Sequence, residues 1–187
     1  MSSIRGAVSS MLATALIILA TPASSAPPSD APFLPVASIQ NLMLNQVDPS
    51  ADLLWASVST VITAAGTEEK QPRTPAEWLT VRHYAVTLIE AANLLLIPRR
   101  QVAERGKKTD DADIPGIETP EHMQQSIDTN PAAFRKAALA LRTAGVKALA
   151  AIDARNPEAL TQAGGDLDTA CEACHLKYWY PPSPRPP

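Results

Sequence analysis

Apolar residues recur at helical spacing over most of the chain, and turn residues divide them into segments. Val36, Gln40, Met43 and Val47, with Ile39 beside them, share one face that ends at Asp48-Pro49. Leu54, Val58, Val61 and Ala65 continue an apolar face as far as Gly66, so residues 49–65 are expected either as a separate helix or as a continuation beyond a kink at Pro49. Thr74-Pro75-Ala76-Glu77 combines a capping-box pair with proline at the first helical position. Behind it Trp78, Val81, Ala85, Leu88, Ala92 and Leu95 repeat until Pro98. Residues 99–130 are polar and broken by Gly106, Pro115, Gly116 and Pro120, which predicts a long connection with one short helix after Thr119. Asn130-Pro131 opens a helix with Phe134, Ala138, Leu141, Gly145, Ala148 and Ile152 inside. Asn156-Pro157-Glu158 opens the last, which carries Leu160, Gly164, Leu167, Cys171 and Cys174 along one side and stops before Pro181. The expected fold class is all-α: a four-helix bundle over residues 36–180 with a long connection between the second and third helices.

Composition supports helices over sheet, because alanine is abundant while aromatic residues make up only 4% of the 187 positions. The first 26 residues read as a cleaved export signal, with Arg5 before the apolar run Met11 to Ala20 and the small residues Ser24-Ser25-Ala26 at the cleavage site. Ten apolar residues fall short of the roughly 20 that span a bilayer. Residues 27–35 form a proline-rich leader and 181–187 a stiff proline-rich tail. The formal charge of −3 becomes −4 when Arg5 leaves with residues 1–26, which argues against nucleic acid as a partner. Export to the periplasm also exposes the only two cysteines, Cys171 and Cys174, to oxidation unless another chemistry claims them.

Both cysteines lie in the stretch CEACH, residues 171–175. Cys-x-x-Cys-His is the attachment pattern of a c-type haem. Residues i and i+3 of a helix are neighbours and can form two thioethers, and the adjoining imidazole can reach the iron. A thioredoxin-type dithiol sits near a βαβ pattern, which this chain lacks. A structural zinc site needs four ligands, and His83 and His122 are far away in sequence. The reading is one covalent haem c, held by Cys171 and Cys174 with His175 on the metal; a haem-free thiol or metal-binding module is the alternative. Paired carboxylates, a Ser-His-Asp set and phosphate-cradling glycines do not stand out, so no enzymatic activity is expected.

With its export signal, four helices, long second connection and CEACHLKYW near the C-terminus, the chain resembles the cytochrome c prime family from about Val36 to Trp179. The resemblance implies that the motif histidine is the proximal iron ligand and that the first helix supplies the residue facing the distal side. High-spin members carry a nonpolar residue there, and six-coordinate relatives a methionine. LKYWYPP lacks the arginine often found after the aromatic residue in that family. Met43, on the inner face of the first helix, is the candidate distal ligand; it can equally be core filling, and a shift of register would bring Ile39 or Gln40 there instead. His83 is the runner-up ligand but falls on the polar side of its helix, where a solvated histidine is expected, and His122 and Met123 lie in the polar connection and reach the haem only if that segment folds inward. The expected function is periplasmic one-electron transfer with redox partner proteins. A five-coordinate binder of nitric oxide or carbon monoxide is the alternative, and the resemblance allows a homodimer.

Overall fold

A computed structural model describes residues 33–180. The signal peptide expected at 1–26, most of the leader at 27–35 and the tail at 181–187 lie outside the described residues. The chain is mostly helical, with one small two-stranded sheet. Among the described residues no helix is long and apolar enough to cross a membrane.

The first helical path runs unbroken from Ile39 to Ser57: α1 (Ile39–Leu42), a π-helical turn (Met43–Val47) and α2 (Asp48–Ser57). This settles residues 39–57 as one path instead of two helices. Pro49 has no N–H and crowds the carbonyl four residues back, a conflict that a wider turn just before it relieves. The Asp48 N–H accordingly reaches the Met43 carbonyl five residues away. Val36, expected on the inner face, precedes the helix and is 85% exposed. Ser38 is the cap, its Oγ accepting from the Asn41 N–H at 3.1 Å.

The expectation of helix up to Gly66 is overturned. After Ser57 the chain forms a hairpin of β1 (Ser59–Thr63) and β2 (Gly66–Lys70), paired from Ser59 with Lys70 to Thr63 with Gly66. Val58 to Thr63 is mostly β-branched and side chains of that shape favour strands, so the helix ends where this run begins. Gly66 closes the turn at φ 133°, which a residue with a Cβ rarely adopts. Val61 stands half exposed instead of facing a helical core.

The remaining helices follow their start signals. α3 (Pro75–Leu95) has the full capping box between Thr74 and Glu77. α4 (Pro120–Thr129) starts after Thr119, α5 (Pro131–Asp153) after Asn130 and α6 (Pro157–Tyr178) after Asn156, each with proline at the first position and a side-chain cap. α5 packs along both α3 and α6, and α2 lies against α3 and α6. Their buried faces make one core, with Leu54, Trp78, Leu88, Ala148, Leu160 and Leu167 among its members.

Small residues set how closely the helices approach. A Cβ on Gly145 of α5 would lie 2.8 Å from Leu88 Cδ2 and 2.9 Å from Ile89 Cγ1 of α3. Trp55 of α2 lies over Gly164 of α6, where a Cβ would meet its ring at 3.2 Å, and the indole donates to the Gly164 carbonyl at 3.0 Å. Gly165, next in sequence, faces open space.

The connection from Leu96 to Thr119 is tied down at several points. The Ile39 and Gln40 N–H groups at the start of α1 donate to the Gln101 and Val102 carbonyls at 2.8 and 2.9 Å. Arg100, buried, donates to the carbonyls of Leu94 and Ala37. At the other end the Glu118 N–H donates to the Trp179 carbonyl at 2.8 Å, which fastens the start of α4 to the end of α6.

Two neighbouring glycines test this packing. Gly165→Ala should stabilise the protein by about 1 kcal/mol through helix propensity alone. Gly145→Ala should instead destabilise it by about 1–2 kcal/mol, because fully buried Leu88 has little room to yield. Urea unfolding of both variants checks the pair, and equal signs would refute the close approach of α3 and α5.

Candidate functional site

The end of the molecule near Tyr178 contains an apolar pocket that is partly open to solvent. Segments from both ends of the chain converge on it. The π-helical turn brings Met43 and Val47, with Asp48 directly after it. α3 contributes Leu95, the long connection Thr109 and Asp110, α4 Met123 and Ile127, and α5 Phe134 and Leu141. α6 closes the wall with Cys171, Cys174, His175 and Tyr178.

α6 remains helical through Tyr178, so Cys171, Cys174 and His175 stand at i, i+3 and i+4 on one face, each half-buried. Burial pushes the Cys171 thiol up to about 12, with the neighbouring Cys174 adding to the effect, and pushes Cys174 up to about 11. Both are therefore uncharged thiols at neutral pH. A redox dithiol needs one lowered thiol, so this environment disfavours the thioredoxin-like reading. Burial holds the His175 imidazole below 6.5, against the opposing pull of Asp48 and Glu172, so the ring is neutral at pH 7. Asp48 shifts upward through burial, His175 opposing.

The Tyr180 hydroxyl donates to Glu172 Oε2 at 2.7 Å, and that bond pushes the phenol up to about 12. His175 Nδ1 lies 3.5 Å from the same hydroxyl oxygen. A proton on Nδ1 would complete a chain from His175 through Tyr180 to Glu172 and leave Nε2 with a free lone pair. Trp179 meets the imidazole edge-on, its ring centroid 5.0 Å away, and fixes the ring from a second side.

The residues fit a large, flat, apolar group that carries a few hydrogen-bond acceptors. Thr109 Oγ1, Tyr178 Oη and Trp179 Nε1 are the buried side-chain polar atoms without a partner among the described residues, and all three residues line this cavity. A buried donor without a partner costs about 1–3 kcal/mol, and these three belong to residues around one pocket, which suits a group that brings acceptors of its own. Haem has this character: an apolar macrocycle, two propionates and an iron that takes a neutral imidazole. Among the described residues no group of three or more His, Cys, Asp and Glu side chains is arranged to hold a metal ion.

The sequence candidates divide clearly. Cys171, Cys174, His175 and Met43 all line the cavity, together with Ile39 and Gln40. His83 is exposed and packs edge-on against Tyr84, while His122 is exposed and bonded to Glu118. Met123, expected at the site only if the polar connection folds inward, is 6% exposed and lines the cavity from α4. Its four-residue spacing to Ile127 behind the Thr119-Pro120 start was the signal for an inward face. Tyr180 was signalled by its place directly behind the motif, among rings expected to pack at this end, whereas Glu172 and Thr109 carried no signal.

Compared with protein-family models, curated proteins and solved structures, the chain matches none.

Two measurements on reduced, cofactor-free protein probe the buried face. Iodoacetamide at pH 8 should label both thiols at least about 100-fold more slowly than it labels the urea-unfolded chain, given how little thiolate they hold; equal rates would show that the face is not buried. The unfolded chain protonates His175 near 6.5 and the folded chain only below that, so this group's stabilising contribution is lost as pH falls through about 6.5. His175→Gln should flatten that part of the stability–pH curve, and an unchanged slope would refute the desolvated imidazole.

Proposed function

We propose that this chain is a periplasmic monohaem c-type cytochrome similar to cytochrome c prime, acting in one-electron transfer. The carrying observation is the convergence of Cys171, Cys174 and a neutral His175 on one apolar cavity that also receives two thioethers, Met43 and Met123. In this reading the path Ile39–Ser57 and helices α3, α5 and α6 are the four members of a bundle, with the hairpin and α4 in its connections.

Bound haem supplies a ferric–ferrous couple. Cys171 and Cys174 would hold it covalently, and His175 would offer Nε2 to the iron. Tyr180 and Glu172 hold the opposite nitrogen's proton, which fixes the ring and makes it more basic. Val47, Leu95, Phe134 and Leu141 keep water from the macrocycle, and a low-dielectric surrounding tunes the potential. Met43 remains the first choice for the sixth position, with Met123 as the competitor that the fold adds. A thioether opposite histidine favours ferrous iron and raises the potential, which suits a carrier. The partners are redox proteins of the same compartment. The alternative, a five-coordinate binder of nitric oxide or carbon monoxide, applies if neither sulfur binds.

Expression in a host that attaches haem, followed by visible spectroscopy, tests the proposal. The expected protein keeps its haem through denaturing electrophoresis and shows a sharp ferrous α-band that carbon monoxide leaves unchanged. Cys171→Ala with Cys174→Ala should lose the covalent haem, and Met43→Ala the sharp band; loss of that band in Met123→Ala alone would move the ligand to α4. A broad spectrum that shifts with carbon monoxide would replace electron transfer by gas binding. A chain without haem would overturn both readings.

The Glu172–Tyr180–His175 chain gives a further expectation for the haem-loaded protein. Tyr180→Phe and Glu172→Gln should each raise the midpoint potential, because a less basic imidazole stabilises ferric iron less. Redox titration checks this, and unchanged potentials would show that the hydrogen-bond chain does not reach the metal.

A further inference from the structure

The hairpin does not contribute to the cavity and stands apart from the core. Every residue of β1 and β2 except half-buried Ser59 is exposed, Val61 at 50% and Ile62 at 80%. A lone two-stranded hairpin is marginally stable in water, and an uncovered strand edge invites pairing.

Its two edges differ in charge. β2 carries Glu68, Glu69 and Lys70 within five residues, the kind of charge that blocks pairing. β1, Ser-Thr-Val-Ile-Thr, carries none and is almost wholly β-branched.

The register determines which backbone groups face outward. Only Ala64 and Ala65 separate the paired residues Thr63 and Gly66, so that closing pair exchanges both backbone hydrogen bonds. Alternation along the ladder then directs the N–H and C=O of Ser59, Val61 and Thr63 toward β2, and those of Thr60 and Ile62 toward the free edge.

That edge is complementary to itself. If two β1 strands run antiparallel about a two-fold axis at Val61, Thr60 of each faces Ile62 of the other with outward groups aligned. Four backbone hydrogen bonds form, and Val61 meets Val61 in a non-hydrogen-bonded pair. The same operation on β2 places Glu68 against Glu68. Pairing β1 with a partner's β2 gives a head-to-tail contact that does not close on itself.

We propose that β1 is a homodimer edge, at which a second copy of this chain adds its own β1 and forms a four-stranded antiparallel sheet across a two-fold axis. The inference does not depend on the haem reading. Strands of five residues bury less than the ~1,200 Å² of a standard interface, so the dimer is weak and concentration-dependent.

Sedimentation of the mature protein from about 10 µM to about 1 mM covers the range that such a contact populates. The expected mass rises toward the dimer, and the dissociation constant increases at least tenfold in Val61→Lys, which opposes two ammonium groups. Ile62→Pro should act likewise, because it deletes an outward N–H and spares the bonds to β2. Under mild oxidation Val61→Cys should crosslink about tenfold faster than Ile62→Cys, since only position 61 meets itself at the short Cα distance that a disulfide needs. A monomer at the highest concentration, a dimer indifferent to both substitutions, or equal crosslinking at positions 61 and 62 would each overturn the proposal. Crosslinking of the wild-type chain through Cys171 or Cys174 would count against the covalent haem, and the sedimentation of Val61→Lys would still decide the interface.

Discussion

Partial burial favours the uncharged forms of a thiol pair and an imidazole, and the last turns of α6 place all three groups in such surroundings. Cys171, Cys174 and His175 all shift in the direction that burial dictates, although Asp48 and Glu172 stand close enough to pull the imidazole the other way. Desolvation therefore outweighs local charge at this face. The other helices supply the wall that makes it so, and the bond from Glu118 to the Trp179 carbonyl holds the end of α6 against the segment that completes that wall.

The separation between helix packing and cavity explains how one chain can have a well-filled core and a large void. Along the middle of the molecule, Gly145 and Gly164 draw helices together until a single added carbon would collide. Toward Tyr178 the faces of α1, α4, α5 and α6 line the apolar pocket instead of meeting. Close contact in one half and open volume in the other follow from where small and large residues fall along the same faces.

Helix starts and inner faces were legible because each is written in neighbouring residues. Thr74, Asn130 and Asn156 each precede a proline and cap the helix behind them, and buried positions such as Leu88, Leu141 and Leu167 recur at the helical period. The cysteine–histidine cluster was legible for the same reason, since its spacing becomes its geometry once the segment is a helix. The hairpin was misread because Val58 and Val61 satisfy a helical spacing as well as a strand composition, and the β-branched run decided between them. Whether Met123 faces inward was not legible, because its surroundings in sequence are polar while its surroundings in space are not. The hydrogen bonds of Tyr180 and the unpartnered atoms of Thr109, Tyr178 and Trp179 follow from tertiary placement, which spacing alone does not encode.

The π-helical turn at Met43–Val47 is equivalent to one residue inserted into an otherwise regular helix. Each residue of an α-helix advances the face by about 100°. Losing that extra residue would restore a regular turn and swing everything before it by about this angle relative to α2, which stays docked against α3 and α6. Met43 owes its position on the cavity wall to that single residue. An ancestor without the insertion would have shown a different side chain to the same space, with the core helices unchanged, so the chemistry of this wall can change through length as readily as through substitution.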